Sequence, residues 1–196
     1  MKQLILASNN AGKLTEFSRL LAPLTIDVRS QSAYNVPECD EPFHTFVENA
    51  LHKARHAARH TGLPALADDS GICVPALNGA PGVYSARYAG DKNDASNNAK
   101  LVAVLQSQTD RRAYYYCVLV LVRHADDPQP LIVDGLWWGE ICDEPQGEGG
   151  FGYDAHFYID ALQCTAAELS KEQKNAISHR GQAVQKLLLQ LNEMNL

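Results

Sequence analysis

Two adjacent carboxylates, Asp68 and Asp69, follow the short apolar run Ala65 to Ala67 and lead into Ser70-Gly71. Like charges this close repel unless a cation compensates them. Mg²⁺ is the natural compensator: it prefers hard oxygen ligands and binds through one or two carboxylates together with a substrate's own phosphates. An Asx turn capping the exit of a strand accounts for the same residues without metal. Glu41 can reach the same ion from an irregular segment, or be a solvated loop acid beside Glu38 and Asp40.

Gly12-Lys13 falls where an apolar run gives way to a helical pattern. Unpaired N–H groups and the positive end of a helix dipole attract anions there. A lysine in such a first turn is unfavourable unless an anion is also present, which points to phosphate; a solvated surface lysine is the plain alternative. Thr45-Phe46-Val47-Glu48 has the form of a capping box, which assigns Glu48 to the Thr45 backbone N–H. Asn49 and Lys53 continue the Thr45 row. His52, His56 and His60 recur every fourth residue, as a zinc site would, but Arg55 and Arg59 beside them disfavour a cation and favour a solvated helix face.

Gly147 to Asp154 is dense in glycine and ends in Phe151-Gly152-Tyr153-Asp154. Such a backbone can approach a ligand closely while a ring lies against a flat base; a long hairpin turn is the alternative. Lys174 and Ser178-His179-Arg180-Gly181 gather cationic and donor side chains suited to carbonyl or phosphate oxygens, or simply to a helix cap.

These residues need a scaffold, and the pattern supplies one. Strands are expected at Leu4 to Ala7, Ile26 to Val28, Ala65 to Ala67, Tyr114 to Val122, Leu131 to Ile141 and Phe157 to Ile159, the last of the strands. Helices are expected from about Leu14 to Leu21, from Thr45 to a stop at Gly62-Leu63-Pro64, over Asn93 to Gln106, after Ser170 with Gln173 three residues on, and over Gln182 to Glu193. Tyr114 to Val122 and Leu131 to Ile141 should form an antiparallel hairpin. Helix alternating with strand, broken by that hairpin, gives an α/β fold with a mixed sheet flanked by helices.

The 196 residues are 45% hydrophobic and hold only 13 Gly and 9 Pro, enough for a packed core and one domain, residues 1–196. Lys and Arg number 17 against 23 Asp and Glu, a net charge of −6 that disfavours nucleic acid as a partner. Five cysteines without a CxxC pair read as buried free thiols of a reducing compartment. Met1 to Ser8 has too short an apolar run for a signal peptide, and no stretch approaches a membrane span, so the expectation is a cytoplasmic protein away from membranes.

Six segments, in order, resemble the inosine triphosphate pyrophosphatase family, the house-cleaning enzymes also called noncanonical purine NTP or dITP/XTP pyrophosphatases, and its bacterial branch above all. They are Ser8-Asn9-Asn10 with Gly12-Lys13, Thr45 to Ala50 with Lys53-Ala54, Ala67 to Gly71, Gly79 to Tyr88, Gly149 to Asp154, and Ser178 to Gly181. The resemblance implies Mg²⁺-dependent hydrolysis of inosine, deoxyinosine and xanthosine triphosphates to monophosphate and pyrophosphate. It also implies a homodimer and an elongated sheet with the nucleotide in a cleft between two lobes.

By position, it assigns Ser8, Asn9, Asn10, Ala11, Gly12 and Lys13 to the triphosphate and Glu41 and Asp69 to the metal. Asp69 becomes the proton acceptor, Lys13 and Lys53 offset phosphate charge, and Ser70 contacts substrate. Phe151, Gly152, Tyr153, Asp154, Lys174, His179 and Arg180 become the base and sugar pocket. Ala155-His156 stands where the family usually has proline after Gly-Tyr-Asp, a departure that bears on the loop's stiffness.

A 6-keto purine offers an acceptor where adenine offers a donor, so donors from Lys174, His179 or Arg180 would favour hypoxanthine and xanthine over adenine. Two other readings remain open here: a metal-dependent nucleotide phosphatase releasing orthophosphate, and a nucleotide-binding sensor without turnover.

Overall fold

The computed structural model describes residues 3–193; Met1 and Lys2 of the opening run lie outside them. Among the described residues seven strands form one sheet: β1 (Gln3–Leu6), β2 (Asp27–Ser30), β3 (Ala65–Cys73), β4 (Arg112–Val122), β5 (Leu131–Ile141), β6 (Phe157–Ile159) and β7 (Cys164–Thr165). Their order is β2-β1-β3-β4-β5-β6-β7. β1 runs parallel to β2 and β3, while β6 is antiparallel to β5 and β7, so the sheet is mixed as expected. Five α-helices accompany it among the described residues: α1 (Ala11–Leu21), α2 (Phe46–Thr61), α3 (Asp94–Leu105), α4 (Lys171–Ile177) and α5 (His179–Glu193).

Local chemistry sets these boundaries. Asn10 caps α1 by accepting from Lys13 N at 3.0 Å, and Asn93 caps α3 through Ser96 N at 3.0 Å. Ser170 and Gln173 complete the reciprocal capping box that opens α4. Thr45 caps α2, but its hydroxyl, rather than its backbone N–H, meets the Glu48 carboxylate at 2.6 Å. Gly62 ends α2 in the left-handed region at φ 69°. The small residues Ala50, Ala54, Ala57 and Ala58 give α2 its buried stripe.

Four expectations are revised. β3 does not stop at Ala67 but continues through Asp68-Asp69-Ser70-Gly71 to Cys73, so the carboxylates stand within a strand and form no Asx turn. β6 is not the last strand, because the two-residue β7 pairs with it. α5 begins at His179, three residues before the expected Gln182, which puts Ser178-His179-Arg180-Gly181 at its first turn. All five cysteines are free, but only Cys73 and Cys117 are buried; Cys39, Cys142 and Cys164 are half-buried.

The chain divides into two compact units. One comprises the chain up to Asp69, Val118–Asp134 and the chain from Ala183; the other comprises Ser70–Cys117 and Gly135–Gln182. In the first, Leu4, Ile5, Leu6, Phe17, Leu21 and Leu66 are fully buried. The β4–β5 connection of the same unit is pinned by buried Asp127, which accepts from Arg123 N, Arg123 Nε and Gln129 N at 2.9, 2.8 and 3.0 Å. Its hydrogen bonds with the Arg123 guanidinium hold the Asp127 carboxyl well below the usual carboxylate range.

In the second unit, Ile72, Leu101, Leu105, Tyr115, Trp137, Tyr153 and Phe157 belong to one apolar cluster. Among the described residues no helix is long and apolar enough to cross a membrane.

Candidate active site

Each unit carries a pocket of its own. That of the first unit is lined by Ala7 to Asn10, Lys13, Gln31, Glu38, Cys39, Glu41, Lys53 and Asp68. The turn after β1 shapes it: Ser30 Oγ donates to Ser8 O at 2.9 Å, and Asn10 N donates to Ser8 Oγ at 3.2 Å. Ala11 and Gly12 are exposed in the first turn of α1, which contains no acid. Backbone N–H groups at this helix start suit an anion.

The adjacent acids each meet a lysine. Successive strand residues face opposite ways, and each acid draws its partner from a different helix. Lys13 of α1 pairs with Asp68, whose side chain is 1% exposed. Lys53 of α2 bridges Asp69 Oδ1 and Glu41 Oε1, at 2.7 Å to each. The compensating cations within the chain are therefore lysines, which also explains how acids tolerate the interior of a strand.

Asn49 supports this arrangement by clasping the backbone of Phe43, donating to its O at 3.2 Å and accepting from its N at 3.0 Å. That fixes the segment bearing Glu41. Burial raises the Asp69 carboxyl to about 6 against the opposing pull of Lys53. For Lys53, burial works against the charge, but Asp69 and Glu41 together hold it above the ordinary lysine value.

Three carboxylates (Glu41, Asp68, Asp69) and two ammonium groups (Lys13, Lys53) thus leave a net negative charge with hard oxygen donors. This donor chemistry fits a hard divalent cation that needs few protein ligands. Among the described residues no group of three His, Cys, Asp or Glu is placed to hold a metal ion by itself, the histidine row of α2 included. His56 instead hydrogen-bonds Pro37 O at 2.9 Å, and its ring lies 4.3 Å from that of His60.

The second unit's pocket is lined by Phe151, Gly152, Tyr153, Asp154, Lys174, His179 and Arg180, the residues assigned to the base and sugar, together with Ser70. Phe151 is 63% exposed, with Lys174 Nζ 5.0 Å from the centroid of its ring. Arg180 donates to Ser70 Oγ at 3.2 Å. Asp154 lies in the pocket wall as a brace: it accepts from Phe151 N at 2.9 Å, from the Tyr115 hydroxyl at 3.2 Å, and from Lys174. His179 stacks on the Tyr115 ring, centroids 4.7 Å apart and planes 9° from parallel.

Burial and the neighbouring Asp154 charge push the Tyr115 hydroxyl well above its ordinary range, so it stays a neutral donor. Where the family usually has proline, Ala155 and His156 form a 3₁₀ turn whose ends are tied by Gln146 N to Ala155 O and Cys142 N to His156 O, both at 2.9 Å. The loop is thus held without a proline ring.

Tyr115, Ser85, Asp94 and Asn98 support this pocket, and no motif reading picked them out individually. Ser85 Oγ accepts from Ile72 N at 2.9 Å, and Ser85 O accepts from the Tyr153 hydroxyl at 2.7 Å, which ties the Gly79 to Tyr88 segment to this pocket. In the sequence Tyr115 is marked only as a member of an expected strand, Tyr114 to Val122.

The first pocket is chemically fitted to a polyanion with a hard cation, and the second to a planar base bearing acceptor oxygens. That is the equipment of a nucleotide-handling α/β protein. The chain belongs to the Ham1 family, whose profile matches residues 4–190.

It is 64% identical over 193 residues to a dITP/XTP pyrophosphatase of Chromobacterium violaceum, covering 98% of both chains. It is likewise 64% identical over 194 residues to a dITP/XTP pyrophosphatase of Nitrosomonas europaea, covering 98% of this chain and 96% of that one. Among solved structures, a HAM1 protein from Coxiella burnetii superposes with a TM-score of 0.95 at 51% identity, covering 98% of this chain and 100% of that one.

Proposed function

We propose that this protein hydrolyses inosine, deoxyinosine and xanthosine triphosphates to the monophosphate and pyrophosphate, removing noncanonical purine nucleotides from the pool. The observation that carries the reading is the Lys53 bridge between Asp69 and Glu41, beside a helix start. A carboxylate within reach of a water can take its proton. The dITP/XTP pyrophosphatase relatives support the same reaction.

The chain's groups then divide the work. Ser8 to Gly12 offer backbone and side-chain donors to the triphosphate. Each lysine ammonium carries three donors, so Lys13 and Lys53 can keep their carboxylates and also take phosphate oxygens. Asp69 accepts the proton of a water whose oxygen bonds the α-phosphorus as the bond to the bridging oxygen breaks and pyrophosphate leaves. Glu41 and Asp69 are the residues that would hold Mg²⁺, which when bound neutralises phosphate charge.

In the other pocket, Phe151 lies against the purine, and donors from Lys174, His179 and Arg180 meet its keto oxygens. Asp154 and Tyr115 keep those donors in place. The same reading takes residues 1–196 as one catalytic domain, working as a cytoplasmic homodimer.

The test is a panel of purine triphosphates with Mg²⁺, scored for pyrophosphate. Release from inosine and xanthosine triphosphates, with ATP a poor substrate, is expected. Orthophosphate in its place would establish the phosphatase reading, and binding without turnover the sensor reading. Asp69→Asn should lower kcat about 10²-fold, the scale of a lost general base; a near-normal kcat removes Asp69 from that role.

A further inference from the structure

Phe151 is mostly exposed, so its own packing does little to fix where it stands. Its orientation depends on the backbone around it. On the N-terminal side, Phe151 N is held by Asp154 Oδ2 at 2.9 Å. On the C-terminal side, the peptide between Phe151 and Gly152 is held by α3: Gly152 N donates to Asp94 Oδ2 at 2.7 Å.

The next peptide is held by the same helix, because Asn98 Nδ2 donates to Gly152 O at 2.7 Å and also to Asp94 O at 2.8 Å. Both backbone polar groups of Gly152, itself in the left-handed region at φ 64°, are therefore caught by two side chains one turn apart. With the planes on either side of Phe151 fixed, only side-chain rotation remains to its ring.

The chemistry of each clamp residue is specific. A carboxylate at the first position of α3 sits at the positive end of the helix dipole, where it is favoured as an acceptor. At position 98, one amide nitrogen serves two carbonyl oxygens, and a carboxylate there would turn two donors into repulsion.

We propose that Asp94 and Asn98 are positioning residues that fix the Phe151 platform for the purine base through Gly152, which rests on the reading of this pocket as the base site. They act on substrate affinity through the loop backbone. Losing either should loosen the platform and raise KM while leaving the phosphate chemistry in the other unit's pocket intact.

The experiment combines steady-state kinetics on inosine triphosphate with amide hydrogen exchange over residues 149–154, in wild type, Asp94→Ala, Asp94→Asn and Asn98→Asp. For Asp94→Ala and Asn98→Asp, KM should rise about 10-fold with kcat within about 2-fold, the size of effect one lost positioning hydrogen bond produces. Exchange at Gly152 should accelerate in the same two variants. Asp94→Asn keeps an acceptor and should stay within about 3-fold of wild type on both measures.

Unchanged KM and exchange in Asp94→Ala, or a fall in kcat with KM constant, overturns the positioning role alone. Failure of the wild type to hydrolyse inosine triphosphate overturns the proposed function and the base-pocket claim with it. If Asp94→Ala does not fold, Asn98→Ala carries the same test with the same outcomes.

Discussion

Asp69 shows what a buried reactive acid does to the protein that carries it. Its folded-state pKa of about 6 lies above the ordinary aspartate value of 3.8, because burial penalises the charge more than Lys53 relieves it. The folded protein thus holds the Asp69 proton more tightly than the unfolded chain does. Between those two values stability rises as pH falls, and above about pH 6 the full cost of the charge is present. In protein stripped of divalent cations, Asp69→Asn should therefore stabilise the fold at pH 8 by roughly 1–3 kcal/mol and lose that advantage near pH 4. Thermal melts of both forms across that range check the sign; a destabilised variant at pH 8 contradicts it. The residues proposed to touch a ligand, Lys13, Asp69, Phe151, Lys174 and Arg180, stood out in the sequence as members of motifs, and their roles came from the family resemblance those motifs carry. Asp94, Asn98, Ser85 and Tyr115 were not legible there, because they work on backbone atoms and rings that only the folded chain brings to them.

Among the elements, helices α2 and α4 were readable because their caps are local, each N-cap side chain reaching a backbone N–H three residues on, whereas α1 was readable from the helical spacing of Leu14, Phe17, Leu20 and Leu21. The extent of β3 was not, because two adjacent acids look like the end of a strand when the lysines that compensate them arrive from positions 13 and 53. The two residues of β7 are too few to leave a periodic signal. The glycine-rich loop makes a sharper demand. Gly150 has φ 74°, and an added Cβ would run into the Asp154 carboxylate, whereas Gly152 has φ 64° with open space around it. Gly150→Ala should therefore displace the Asp154 brace, raise KM for inosine triphosphate about 10-fold and destabilise by about 2–3 kcal/mol. Gly152→Ala should cost only about 1 kcal/mol, from its backbone conformation. Kinetics and denaturant melts of the pair decide it, and equal effects on stability would discount the collision.

At the scale of the whole molecule, the α/β class and mixed sheet followed from the rhythm of helix and strand, and the structure bears them out. The proposed homodimer predicts a light-scattering mass twice the 21.5 kDa of the chain; a mass equal to one chain rejects it. β3 has its own consequence for how the protein fails. It lies between β1 and β4 in the interior of the sheet, and it bears both adjacent acids along its length. Elements in such a position open only when everything around them opens. Fraying, which reaches chain ends and surface loops first, leaves Asp68 and Asp69 where they are, so on heating these acids keep their places until the fold itself is lost.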